Sequence, residues 1–143
     1  MAHINNAGGS IFLEAAGVTL LTVASTGLTA AAVSGHTSLT VNGGLARPVT
    51  ATKTSAYSMV NTDTYLVFNG SASITLTLLA AATYPGRELW VKTLAAFTVV
   101  SASSNVRPIG SATAGTAILP ATSGAWALLV SDGTDWTMMA NGT

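Results

Sequence analysis

The chain reads as short stretches in which apolar and polar residues alternate, separated by turn residues. Ser73–Leu79 (SITLTLL) puts Ile74, Leu76 and Leu78 on one side and Thr75 and Thr77 on the other. That period of two is what a half-buried strand needs. Arg87–Thr93 (RELWVKT) alternates in the same way, with Leu89 and Val91 opposite Trp90 and Lys92. Thr64–Phe68 (TYLVF) is β-branched and aromatic, and ends at the turn pair Asn69-Gly70. Phe97–Val100, Thr116–Leu119, Ala125–Ser131 (AWALLVS) and Asp135–Met139 (DWTMM) complete the predicted strands, with Asp132-Gly133 joining the last two as a hairpin. Pro85-Gly86, Pro108 and Pro120 break the chain between them. The one helical competitor is Leu78–Thr83 (LLAAAT), which Pro85 and Gly86 stop after a turn or two. Strands spaced about ten residues apart, with turn chemistry between, predict an all-β sandwich or a jelly-roll-like barrel.

The pattern changes near Pro48. Residues 1–47 are rich in Gly, Ala and Thr with Phe12 as their only large ring, whereas 51–143 carry every Trp and Tyr. The expectation is an extended N-terminal arm or attachment region, residues 1–50, feeding one compact β-sandwich domain, residues 51–143. Within the arm, Gly17–Val23 and Thr37–Asn42 read as extended, and 28–33 as either extended or a short helix. Ala15–Val33 is uncharged over nearly the length of a membrane helix. It is studded with Thr19, Thr22, Ser25, Thr26 and Thr29 and has no flanking Lys or Arg, so membrane insertion is not expected. Residues 1–10 lack the basic stretch that opens a signal peptide.

Charge sharpens this picture. Only 7% of the 143 residues are charged while 49% are hydrophobic, against roughly 25% charged in an ordinary soluble domain. Five basic and five acidic residues cancel to zero. Such a surface must be coated by hydroxyls, small residues or neighbouring subunits, which favours life in an assembly. Arg47, Lys53, Arg87, Lys92 and Arg107 are scattered, so the clustered cations that nucleic acid requires are missing and no nucleic-acid partner is expected. The lack of cysteine removes disulfides and thiolate metal sites.

Candidate chemistry is sparse. Of the acids Glu14, Asp63, Glu88, Asp132 and Asp135, only Asp132 and Asp135 lie close together. Asp132-Gly133 makes a turn, and two acids fall short of the six to eight oxygens calcium takes. Glu88 beside Arg87 reads as a solvated ion pair. His3 and His36 have no partner at metal-ligand spacing, and there is no nucleophile elbow, phosphate loop or dinucleotide fingerprint. No enzyme activity, metal or cofactor is therefore expected. Trp90, Trp126 and Trp136 read as core or interface residues. Tyr84, ahead of Pro85-Gly86, is the candidate exposed ring for a host-surface glycan.

The succession YLVFNGSASITLTL, YPGRELWVKTL, FTVVSASSNVRPIGSA and GAWALLVSDGTDWTMM resembles a recurring β-module of tailed-bacteriophage fibres and other virion appendages. Its closing element here is Leu129-Val130-Ser131-Asp132-Gly133-Thr134-Asp135-Trp136. Ser38–Leu45 (SLTVNGGL) is similar to the Thr/Val/Gly phrases of phage fibre shafts. The likeness covers about two-thirds of the chain and rests on the order of short motifs. It implies a virion protein that is a homotrimer, with Leu128, Val130, Trp136 and Met138 expected in core or trimer contacts. As a capsid decoration, or cement, protein it would grip the major capsid protein or another virion protein through its arm, with Ile11, Phe12, Leu13, Leu20 and Leu21 as attachment residues. The alternatives are a short tail or head fibre that binds a glycan, for which the chain leaves little room, and a free carbohydrate-binding module.

Overall fold

The structure, a computed structural model, describes residues 3–7, 10–15, 18–24, 27–30 and 43–143, with side chains from Gly43 onward. The chain divides into two compact units, Met1–Ala46 and Arg47–Thr143.

In the first unit, β1 (His3–Ala7), β2 (Ser10–Ala15), β3 (Val18–Ala24) and β4 (Gly27–Ala30) form an antiparallel meander in sequence order. The region expected as an extended arm or attachment region is thus described as a sheet. The strands are short and joined by the dipeptides Gly8-Gly9, Ala16-Gly17 and Ser25-Thr26, spacers of the two-residue length that suits hairpins. The register aligns Ile4, Leu13, Leu21 and Ala30 in one cross-strand row, and Asn6, Ile11, Val23 and Leu28 in another. Asn5, Phe12, Thr22 and Thr29 form the row between them. Alternate rows belong to opposite faces of a sheet, so one face is mainly aliphatic and the other mainly polar. A register shift after Leu13 leaves Leu20 as the extra residue of β3. Thr37–Asn42, expected to be extended, lies outside the described residues, as do His36 and all of the shaft-like Ser38–Leu45 phrase except Gly43–Leu45.

In the second unit, two mixed sheets make a sandwich-like all-β fold. The strands are β5 (Tyr57–Ser58), β6 (Tyr65–Phe68), β7 (Ile74–Thr77), β8 (Glu88–Thr93), β9 (Val99–Ser101), β10 (Val106–Arg107), β11 (Ala117–Leu119), β12 (Trp126–Ser131) and β13 (Trp136–Gly142). One sheet has the order β10-β13-β12-β8-β6 and the other β11-β9-β7-β5. From β5 to β12 the chain changes sheet at every connection. Neighbours β5, β7 and β9 are consequently parallel, as are β6 and β8, so the first half winds like a coil. The later strands β11 and β12 then pair antiparallel with β9 and β8. A jelly roll is built from antiparallel Greek keys, so these parallel pairs rule out that form of the expectation. Asn69-Gly70 is the local reason: it arches between sheets instead of closing a hairpin. There Asn69 donates its N–H to the Lys53 carbonyl at 2.8 Å, and a Cβ on Gly70 would stand 2.9 Å from the Thr54 carbonyl oxygen.

The core lies between the sheets and follows the alternation. Ile74, Leu76 and Leu78 are buried from one side, and Leu66, Phe68, Leu89, Val91, Ala127 and Leu129 from the other. Trp136 is the largest fully buried side chain, and its Nε1–H donates to the Leu79 carbonyl at 2.8 Å, which satisfies the one polar atom of the indole. The expected short helix is a single 3-10 turn, Ala81–Thr83, tied to β12 by the Ser131 hydroxyl donating to the Ala81 carbonyl. At Tyr84-Pro85-Gly86-Arg87 the Arg87 N–H reaches the Tyr84 carbonyl and Gly86 has φ 78°, the geometry Pro-Gly favours. Residues 49–53 run along the outer edge of β6, with bridges Val49–Tyr65 and Lys53–Phe68, which covers an edge otherwise open to pairing.

Burial on β8 sets a test. Leu89→Ala removes a fully buried side chain and is expected to cost about 2–5 kcal/mol, whereas Thr75→Ala on an exposed face should change stability by about 0.5 kcal/mol or less. Urea unfolding of both variants measures the difference.

Candidate functional site

The loop between β12 and β13 carries the two acids that stood closest in sequence. Asp132 Oδ1 accepts the backbone N–H groups of Thr134 and Asp135, both at 2.8 Å, and Gly133 adopts φ 89° between them. Arg107 on β10 then bridges Asp132 Oδ2 at 3.1 Å and Asp135 Oδ2 at 2.8 Å. The Asp132 carboxyl is held below its ordinary value, first by the Asp135 N–H, then by that of Thr134, with smaller help from the Thr137 hydroxyl and the Arg107 charge. The acids thus brace the hairpin and clamp β10 beside β13. Among the described residues no cluster of three His, Asp or Glu is arranged to hold a metal.

The second polar cluster was not legible from the sequence, where Asp63 stood as an isolated acid. Asp63 is fully buried. Its Oδ2 accepts the Val60 N–H at 2.8 Å and the Tyr57 hydroxyl at 3.0 Å, while Oδ1 is buried without a protein partner. Burial, and then donation to this carboxylate, push the Tyr57 hydroxyl pKa above its usual value. Arg87 closes the same turn by donating to the Asn61 side chain and to the Asn61 and Asp63 carbonyls. Arg87 is therefore not paired with Glu88, which instead meets Arg47 at 3.4 Å. The run Asn61-Thr62-Asp63 ahead of a β-branched strand was the available signal, since Asx residues close such turns.

Tyr84, the candidate glycan ring, is half-buried, with the Arg87 guanidinium 5.4 Å from its centroid. Of the four residues expected in core or trimer contacts, Trp136 and Met138 belong to the unit's own core. Leu128 and Val130 point to the opposite, outer face and are half-buried. A bulge opposite Leu128 and Leu129 explains how Met138 turns inward while Met139 is 61% exposed. Of the attachment residues, Leu13 and Leu21 are paired across β2 and β3, Ile11 pairs with Val23 and Phe12 with Thr22.

The outer face of the five-stranded sheet holds the main aromatic group. Trp90 and Trp126 stack at 5.7 Å between centroids and 27° between planes. A Cβ placed on Gly142 would stand 2.6–3.0 Å from Trp126 ring atoms, so a larger residue there would have to displace the ring. With Tyr65, Val67 and Lys92 the two rings border a depression of about 240 Å³. A larger cleft of about 410 Å³ is lined by Val100, Pro108, Ile109, Leu119, Met138 and Asn141 among others. No helix among the described residues is long and apolar enough to cross a membrane. The chain matches no family model, no curated protein and no solved structure.

Two outcomes follow. Asp63→Ala strands the Val60 N–H and the Tyr57 hydroxyl, and should lower unfolding free energy by about 1–3 kcal/mol in a urea titration. Asp132 has a folded pKa below its unfolded value, so its stabilisation is complete above the ordinary carboxylate range and is lost as pH falls through the lowered folded value. Melting temperature measured from pH 7 downward should therefore fall less steeply in the acid range for Asp132→Asn than for the parent chain.

Proposed function

We propose that the protein is a non-enzymatic structural component of a tailed-phage virion, a homotrimer that decorates the capsid shell and attaches through its N-terminal unit. The observation that carries this reading is a charge-poor chain joined to a separate N-terminal sheet whose register gathers Ile4, Ile11, Leu13, Leu21, Val23 and Leu28 on one face. We take that face as the one that docks, and a shell built of repeated subunits offers flat, repeated ground for it. Support also comes from the ordered resemblance of residues 65–139 to virion β-modules. The polar clusters favour a structural role, because Asp63, Asp132 and Asp135 are all taken up in bracing turns.

The fibre and free-lectin readings have less behind them. A sugar stacks on an open ring face, whereas Trp126 has one face stacked on Trp90 and Tyr84 has the Arg87 guanidinium 5.4 Å from its centroid.

The proposal is tested by mixing purified chain with expanded shells and pelleting them. Full-length protein should co-sediment at a fixed ratio to shell subunits, and a chain lacking residues 1–46 should stay in the supernatant while keeping its thermal transition. Shell binding by the shortened chain would exclude attachment through the N-terminal unit.

A further inference from the structure

Charge is scarce in this chain, and the fold puts nearly every described charge to work on itself. Arg47 meets Glu88, and Arg107 spans Asp132 and Asp135. Asp63 and Arg87 close the turn ahead of β6, and the Lys53 ammonium lies over the Tyr57 ring at 4.1 Å. Lys92 is the exception: among the described residues no ion pair, hydrogen bond or ring contact engages its ammonium. It is exposed at one end of the outward row of β8, formed by Glu88, Trp90 and Lys92. The register places it between Val67 on β6 and Trp126 on β12. This unused cation therefore borders the depression of about 240 Å³ that Tyr65, Val67, Trp90 and Trp126 enclose.

We propose that this depression is a binding site for a small aromatic carboxylate, one apolar ring carrying an acid group on a short arm. Size sets the ring. An apolar cavity of roughly 150 Å³ takes a benzene molecule, so this depression holds one substituted ring and little more. The wall sets its character. Two indoles, a phenol ring, a valine and the lysine form it, with no set of partners for the hydroxyls of a sugar, which contact would strand. Trp90 stacks diagonally across the sheet on Trp126, 5.7 Å away between centroids, because the register partner of Trp126 on β8 is Lys92. The two rings brace each other before any ligand arrives, so less side-chain freedom is lost on binding. An added ring gains from offset or edge-to-face contact with them. Lys92 sets the sign of the charge. Lysine lays its methylenes along an apolar wall and keeps its ammonium at the water boundary, where a carboxylate meets it in a charge-assisted hydrogen bond. Glu88, the acid of the same strand, is already paired with Arg47 and does not compete. The site belongs to the second unit alone, so it stands or falls independently of shell attachment.

Phenylacetate is the probe, with phenethylammonium as its counterpart of opposite charge and acetate as its counterpart without the ring. In the isotope-labelled full-length chain each Trp gives one indole N–H signal by nuclear magnetic resonance. The buried Trp136, bonded to the Leu79 carbonyl, serves as the internal reference. Phenylacetate should shift the Trp90 and Trp126 signals saturably, with a Kd on the order of 1 mM, and leave Trp136 in place. The amine and acetate should each bind about tenfold more weakly or not at all. Lys92→Gln should weaken phenylacetate binding about fivefold, and Lys92→Arg should preserve it. Binding of the amine as tight as that of the acid, an unchanged affinity in Lys92→Gln, shifts confined to Trp136, or no saturable shift would each overturn the proposal. A Gly-Gly-Phe peptide blocked at its amino end presents the same chemistry on a polypeptide. Binding of that peptide about tenfold tighter than phenylacetate would assign the site to a chain terminus and overturn the small-acid reading. If Lys92→Gln does not fold by circular dichroism, the comparison of acid and amine on the parent chain decides alone.

Discussion

Trp136 and its hydrogen bond to the Leu79 carbonyl are the point around which the globular unit closes. The strand that carries it pairs with β12 on one side and β10 on the other, so it joins elements that are distant in the chain. Its fully buried ring fills the space between the sheets, and its N–H fixes the segment after β7 against the hairpin. An apolar ring of the same size would fill the space but leave that carbonyl unpaired. The remaining devices, Ser131 on Ala81 and Arg107 across Asp132 and Asp135, hold the same hairpin at that same turn end, where Ser131 pairs with Trp136.

Much of the local structure was legible because burial follows a period of two. Ile74, Leu76, Leu89 and Val91 fall inside and Thr75, Thr77, Trp90 and Lys92 outside, as alternation requires. Pro85-Gly86 and Asp132-Gly133 were equally clear, since backbone geometry restricts which residues can occupy those turns. Pairing was not legible. Alternation says which way a side chain points but not which strand lies beside it, so parallel neighbours such as β6 and β8 left no local trace. Two-residue strands such as β5 and β10 are too short to show a period. The N-terminal meander was read as an arm because Ala, Thr and Gly are weak markers of any one structure.

The candidate surfaces show the same division. Trp136 and Trp126 both sit in strands of alternating pattern, yet one is core and the other faces out, and only the phase of each strand distinguishes them. Asp63 illustrates the opposite case, in which an acidic residue is fully buried because a turn N–H and a phenol both donate to its side chain, while the neighbouring arginine binds its backbone carbonyl. Sequence scarcity of charge and structural placement of charge then make one statement. Nine of the ten ionisable acids and bases lie within the described side chains, and most of these are committed to bracing the fold, leaving broad surfaces to be covered by other means.

The change of sheet at every connection from β5 to β12 has a consequence for biogenesis. Strand β12 pairs with β8, and β13 with β10, so the central positions of the larger sheet are filled by segments a ribosome delivers after β6, β8 and β10. Until they emerge, β8 lacks one neighbour and the Leu89–Val91 side of the sheet has no complete cover. Contacts so distant along the chain slow folding, and a nascent polypeptide of this design must stay soluble without the charges that usually keep unfinished chains apart. Rapid release, a holding chaperone, or dense hydroxyl decoration of the early strands would each meet that demand, and Thr75 and Thr77 supply the last of these from within the sequence itself.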